Sequence, residues 1–133
     1  MALPWQPGLS GLRKAHAGGV RDKRAQQSCD IDAFYAKAEP QAHRWDYVVE
    51  RPASGARTGA GVEVHPASTG EVASMIAKKL WAEARLHADE PGLHMTKWHW
   101  LATGGIHIPA TTPQARALAK AGIARPQKVI LEL

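Results

Sequence analysis

The chain has 133 residues, of which 44% are hydrophobic and 22% are charged, and its formal net charge is +5. These proportions are close to those of an ordinary globular domain and exclude a largely disordered chain, and the absence of a run of about 18 apolar residues predicts no membrane span. The single cysteine, Cys29, excludes an internal disulfide and a thiolate zinc site, and the start of the chain lacks a secretory signal pattern, so we expect a cytoplasmic protein.

Most of the positive charge lies in residues 1–28. This segment has five basic side chains against one acidic side chain, Asp22, and it is interrupted by several prolines and glycines. The five basic residues are Arg13, Lys14, Arg21, Lys23 and Arg24. The pattern predicts a basic, flexible N-terminal arm that contacts the phosphates of nucleic acid, followed by a single domain over residues 29–133. The alternative is a solvated tail with no partner.

The first elements of the predicted domain are a short helix and a hairpin. Asp30 or Asp32 is placed to cap a helix in the sequence DAFYAKAE, which Pro40 ends. The sequence RWDYVVERP predicts a strand, the glycine-rich ASGARTGAG a turn, and GVEVHP a second strand. The short connection favours antiparallel pairing of the two strands.

A long helix is predicted next. Ser68 and Glu71 have the spacing of a capping box, and the helix is expected to reach about Ala88. Its apolar stripe comprises Val72, Met75, Ile76, Leu80 and Ala84.

The last third of the chain predicts further strands and one helix. DEPGLHMT is interpreted as a loop, KWHWLATGG as a third strand, and IHI as a short edge strand. Thr112 and Pro113 predict the start of a helix that Gly122 ends. The terminal KVILEL predicts a last strand, whose free edge could pair two chains into a homo-oligomer. The order of elements indicates an α/β (α+β) fold, a single domain with a central mixed β-sheet flanked by helices.

Candidate chemistry centres on the predicted hairpin. Asp46 lies near the start of one strand and Glu63 lies 17 residues later in the next, so both carboxylates are expected at one end of the sheet. Two neighbouring carboxylates repel each other and suit Mg²⁺ or Mn²⁺, which can clamp a phosphodiester. His65 shares a strand face with Glu63, as a base, a phosphate donor or a ligand. Lys79, on the following helix, is placed to lean towards the sheet. The motifs of dinucleotide, P-loop, serine-hydrolase and zinc-protease sites are absent.

This arrangement resembles the PD-(D/E)XK nuclease superfamily, which has a restriction-endonuclease-like fold. The resemblance covers about residues 30 to 103, with Asp46 at the family's metal-binding Asp and Glu63 at its metal-binding acid. Glu39 falls at an occasional helical Glu of the family. His65 occupies the position of the family's Lys, and some members carry that Lys on the following helix, where Lys79 or Lys78 lies here. The resemblance implies a nuclease that depends on Mg²⁺ or Mn²⁺.

A second cluster, HMTKWHW, combines aromatic and basic residues. Trp98 and Trp100 alternate with Lys97 and His99 on a predicted strand. Trp98 and Lys97 are candidates for stacking on a base and contacting a phosphate, while core packing is the alternative for the two tryptophans. His99 is a possible partner of His65 if the two strands adjoin.

Three functions follow from these residues. The first is a protein that acts on nucleic acid as a metal-dependent nuclease, with Asp46 and Glu63 as ligands and His65 or Lys79 as the activating group. The second is a non-enzymatic binding or assembly module with a basic arm. The third is a metal-independent, toxin-type ribonuclease that uses His65 and His99 as acid and base.

Overall fold

Five strands form one mixed sheet in the order β1-β2-β3-β4-β5. The computed structural model describes residues 2–133, so Met1, the first residue of the predicted arm, lies outside the described residues. The strands are Gln6–Pro7 (β1), Gln27–Asp30 (β2), Tyr47–Arg51 (β3), Arg57–Ser68 (β4) and Leu93–His107 (β5). The helices are Lys14–Ala17 (α1), Ile31–Tyr35 (α2), Val72–Asp89 (α3) and Pro113–Ala121 (α4). The predicted α+β class with a central mixed sheet is confirmed.

The sheet is antiparallel from β1 to β4 and parallel between β4 and β5. The predicted hairpin is confirmed, because β3 and β4 pair antiparallel with Tyr47 opposite Val62. The chain then crosses over through α3 and returns as β5 alongside β4. A crossover helix is what a parallel pair of strands requires, because a tight turn cannot connect them.

One face of the sheet is covered by helices α2, α3 and α4, and we call it the helix-covered face. Its core joins side chains from the sheet with the inner sides of the helices, among them Met75 and Leu86 of α3 and Leu118 of α4. Trp45 and Trp98 meet edge to face at 5.1 Å between ring centroids. A side chain at Gly61 would overlap the Trp98 ring, because its Cβ would lie 2.4 Å from Trp98 Cε3. Glycine is therefore required at residue 61.

The opposite face of the sheet, which we call the terminal face, is covered by both ends of the chain. Leu12 and Val20 from the N-terminal segment pack with Ile130 and Leu133 from the C-terminal segment. They cover sheet residues that include Tyr47, Val49, Val62 and Leu101. In addition, β1 pairs with β2. The prediction of a flexible arm with a boundary at residue 28 therefore needs correction, because residues 2–28 are built into the fold.

The predicted C-terminal strand is also wrong. The segment after α4 follows the edge of β5 through single bridges, Trp98 to Ile123 and Leu101 to Gln127, and then meets Val20 at Ile130. Ile123, Ile130 and Leu133 are buried individually, while Leu131 is exposed, and no continuous ladder forms. The KVILEL pattern reflects this packing on the terminal face.

Two of the predicted helix caps are confirmed and one is wrong. The side chain of Asp30 accepts the Ala33 N–H at the start of α2, and that of Thr112 accepts the Ala115 N–H at the start of α4. Ser68, by contrast, is the last residue of β4 and makes no capping hydrogen bond, and a 3-10 turn over Thr69–Glu71 precedes α3. Two residues of the predicted apolar stripe, Leu80 and Ala84, are exposed. In addition, β5 is one continuous strand in place of the predicted loop and two strands.

Asp22 connects the two ends of the chain. Its buried carboxylate accepts the backbone N–H of Arg24 and of Leu133, each at 3.0 Å, and it also accepts two N–H groups of the Arg24 guanidinium. These hydrogen bonds favour the charged form, with the Arg24 side chain as the largest cause, so the pKa of Asp22 is well below its usual value.

Asp22→Asn is expected to lower the free energy of unfolding by about 1–3 kcal/mol at neutral pH, because a buried acceptor loses its charge-assisted bonds. The lowered pKa means that this contribution is present above the ordinary value of 3.8 and is lost as the pH falls through the folded value. Urea unfolding at several pH values measures it. Glu132→Gln is the control, since Glu132 contacts Arg24 from an exposed position; equal stability of wild type and Asp22→Asn would contradict the assignment.

Candidate functional site

Asp46 and Glu63 meet at the end of the sheet where β3 begins. Tyr47 pairs with Val62, so Asp46 lies opposite Glu63, one position before the ladder. The two residues are cross-linked through their backbones: Glu63 Oε1 accepts the Asp46 N–H at 2.8 Å, and Asp46 Oδ2 accepts the Val64 N–H at 2.9 Å. The predicted convergence of the two acids is therefore present, and each side chain is fixed by the partner strand.

Lys78 of α3 contacts Glu63 on the helix-covered face of the sheet. Glu63 lies on the helix-covered face with 1% of its side chain exposed, and the Lys78 Nζ donates to Glu63 Oε2 at 2.5 Å. Both oxygens of Glu63 are thus engaged, one by a backbone N–H and one by an ammonium group. We call Asp46, Glu63, Lys78 and His65 the carboxylate site.

Burial and the charge of Asp46 both disfavour the charged form of Glu63. Burial is the main cause that raises the pKa of Glu63 to about 8, and the charge of Asp46 adds to it, while Lys78 opposes it. Burial also raises the pKa of Asp46, against the hydrogen bond from Val64. Lys78 lowers the pKa of both acids but does not offset the effect of burial.

His65 lies at the border of the carboxylate site and is held by a residue that was not predicted. Its Nε2 is 2.7 Å from Glu71 Oε2, and its Nδ1 is 3.9 Å from Glu63 Oε2. The indole N–H of Trp100 donates to the His65 carbonyl at 3.0 Å and so holds the backbone of His65 in place. The capping role predicted for Glu71 is therefore wrong, and its carboxylate orients the imidazole across the strand-to-helix turn.

Two of the predicted site residues lie elsewhere. Lys79 pairs with Glu83 at 3.2 Å, and its Nζ lies 5.6 Å from the centroid of the Trp98 ring, so Lys78 takes the place predicted for it. Glu39 accepts from the Trp81 indole and pairs with Arg85, which places it against α3 without a bond to the carboxylate site.

The predicted nucleic-acid cluster on β5 divides between the two faces of the sheet. Trp98 is 5% exposed and packs in the core, so it is not available to stack on a base, while Lys97 is exposed. His99 pairs with Val62 on the terminal face, whereas His65 lies with Glu63 on the helix-covered face. His65 and His99 are therefore not an acid–base pair. Burial lowers the pKa of His99 to about 4, and its Nε2 has no partner among residues 2–133.

The five basic residues of the N-terminal segment differ in their surroundings. Arg13 is mostly exposed and pairs with Asp30 at 3.5 Å, near the end of the sheet that holds Asp46. Arg24 is engaged by Asp22. The other three, Lys14, Arg21 and Lys23, have exposed side chains.

The carboxylate site offers two acidic side chains as possible ligands for Mg²⁺ or Mn²⁺. Residues 2–133 contain no group of three or more His, Cys, Asp or Glu side chains arranged to hold a metal ion. Mg²⁺ is commonly bound by one or two carboxylates, with waters and substrate phosphates as its other ligands. Asp46 and Glu63 match that smaller set in number and kind of donor.

Comparisons with protein-family models, with curated proteins and with solved structures find no match for this chain. Within residues 2–133, none of the helices combines the length and apolar character needed to cross a membrane.

Glu63→Gln is expected to change how stability depends on pH. A folded-state pKa near 8, above the ordinary 4.5, means that the folded protein holds this proton more tightly, so stability is lost as the pH rises from about 5 to about 8. Because a glutamine side chain does not titrate, the variant lacks this loss. The free energy of unfolding of the variant, relative to that of wild type, should therefore rise by on the order of 2 kcal/mol from pH 5 to pH 8. Thermal or urea unfolding in the absence of divalent metal measures it.

Glu83→Gln is the matched control on α3, because Glu83 is 46% exposed and pairs with Lys79 only at the surface. Its stability relative to wild type should not change over the same range. A constant difference between Glu63→Gln and wild type from pH 5 to pH 8 would show that Glu63 is ionised throughout.

Proposed function

We propose that this protein is a metal-dependent nuclease, in which Asp46 and Glu63 hold Mg²⁺ or Mn²⁺. The single observation that supports the proposal most is the carboxylate site itself: two acids fixed on adjacent strands and a lysine ammonium 2.5 Å from the buried one. The same juxtaposition supports the resemblance to the PD-(D/E)XK superfamily, with Lys78 of α3 in the role of the family's Lys. A metal ion bound by the two acids would polarise a phosphodiester and favour ionisation of an attacking water.

Lys78 supplies the positive charge of the proposed site. Its side chain is 17% exposed, so its charge acts in a poorly solvated environment. There it stabilises the negative charge that develops on a phosphodiester during hydrolysis. The position two residues after Glu63, where the family has its Lys, holds His65, so α3 is the source of this charge.

His65 and Glu71 add a group that can hold a proton. When Glu71 accepts the Nε2–H, Nδ1 is left as an acceptor on the side of Glu63. In this tautomer His65 can take up a proton that is released near the carboxylate site. The exposed basic residues Lys14, Arg21 and Lys23 provide sequence-independent attraction for the phosphates of nucleic acid.

The proposal is tested by incubating the protein with labelled single- and double-stranded DNA and RNA in Mg²⁺, in Mn²⁺ and in EDTA. Cleavage should require a divalent metal. Asp46→Asn, Glu63→Gln and Lys78→Met are each expected to reduce the rate by at least about 100-fold, since each removes charge at the reacting phosphate.

Lys79→Met is the matched control, because Lys79 neighbours Lys78 on α3 and lies outside the carboxylate site. It should retain the wild-type rate within about threefold. Absence of cleavage with every substrate and metal would overturn the nuclease, and cleavage in EDTA would indicate a metal-independent reaction. The binding module would be favoured if the protein binds nucleic acid without metal and without cleaving it, and if Glu63→Gln leaves that binding unchanged.

A further inference from the structure

An apolar cleft lies between the end of β5 and α4, away from the carboxylate site. Its volume is about 230 Å³. The floor is formed by Ile108, Leu118 and Ile123, all at most 5% exposed, and its walls include Ala115 and Ala119 of α4. A small concave surface of this kind favours an apolar ligand, because water there makes few hydrogen bonds.

Two arginine side chains border this cleft. Arg116 and Arg125 line it, and Arg125 also lines a neighbouring cleft beside His107. No acidic residue is among those that line either cleft in the described chain, residues 2–133. We call this feature the arginine-rimmed cleft, defined by Ile108, Leu118, Ile123, Arg116 and Arg125.

The donors of the two arginines are largely unused. Arg116 donates once, from Nη1 to the Thr111 carbonyl at 3.1 Å, and guanidinium has five N–H donors. Arg125 has no hydrogen bond or ion pair to any residue of the described range 2–133. Elsewhere in the protein Arg24, Arg44 and Arg57 are paired with carboxylates. Arg21 and Arg51 contact a carbonyl and a hydroxyl oxygen instead. An external carboxylate would give Arg116 and Arg125 the partner that the chain does not provide.

We propose that the arginine-rimmed cleft binds a small amphiphilic carboxylate, an acyl or aryl acid with an apolar body of about eight carbon atoms. The body lies on Ile108, Leu118 and Ile123, and the carboxylate accepts from Arg116 and Arg125. Guanidinium binds carboxylates through paired N–H donors, which gives the head group its orientation. A bare phosphate or a nucleic-acid backbone satisfies the arginines only and leaves the apolar floor unused.

Octanoate is the probe, titrated into the full chain at neutral pH and followed by calorimetry and by amide NMR shifts. We expect a dissociation constant on the order of 0.1 mM, with the shifts concentrated at Ala115, Ala119 and Ile123. Octan-1-ol should bind at least about tenfold more weakly and octylammonium should not bind measurably, because each lacks the anionic head group.

Arg116→Gln and Arg125→Gln are each expected to weaken octanoate about tenfold. Lys120→Gln, an exposed cation on α4 that does not line the cleft, is the matched control and should leave binding unchanged. Ala119→Trp fills the cleft from an exposed position and should abolish binding while the thermal midpoint stays near that of wild type. Equal binding of the three probes, shifts elsewhere on the protein, or no saturation below about 10 mM would overturn the proposal.

Discussion

The carboxylate of Glu63 lies under α3 with 1% of its side chain exposed, and the elements around it are arranged to keep it there. The Asp46 backbone N–H from the neighbouring strand and the Lys78 ammonium from the crossover helix engage its two oxygens. A buried acid costs free energy unless its oxygens are paired, so the hairpin register and the placement of α3 are both constrained by this residue. The charge of Asp46 disfavours the charged form of Glu63, because it raises the pKa of Glu63 further. The arrangement holds two acids together in a poorly solvated place, where burial raises the pKa of both.

Local patterns were enough to predict the elements that hold this site. A short glycine-rich connection between two β-branched runs predicted the hairpin, and the hairpin brought Asp46 opposite Glu63. The choice between Lys78 and Lys79 could not be made in the same way. Both residues border the helical stripe that contains Met75 and Ala82, and which of them points at Glu63 depends on how α3 crosses β4, which is a tertiary property.

The ends of the chain could not be predicted, for a related reason. Leu12 and Val20 are isolated apolar residues in a segment without a helical or strand period, which is why that segment resembles an arm, and the apolar run around Ile130 has the pattern of a strand. These residues are buried only because the N- and C-terminal segments pack together over the terminal face. The hydrogen bond from the Leu133 N–H to Asp22 holds the two segments together. The basic residues of the segment therefore extend from the folded body, and a deletion of residues 1–28 would remove part of the core along with the charge.

A crystal structure grown with Mn²⁺ and examined by anomalous diffraction decides whether Asp46 and Glu63 hold a metal ion. We expect an anomalous peak within about 2.3 Å of a carboxylate oxygen of both Asp46 and Glu63, with the Lys78 ammonium moved off Glu63 Oε2. No peak at the two acids at saturating Mn²⁺, with Lys78 still bonded to Glu63, would contradict this expectation and would make this group a structural ion pair.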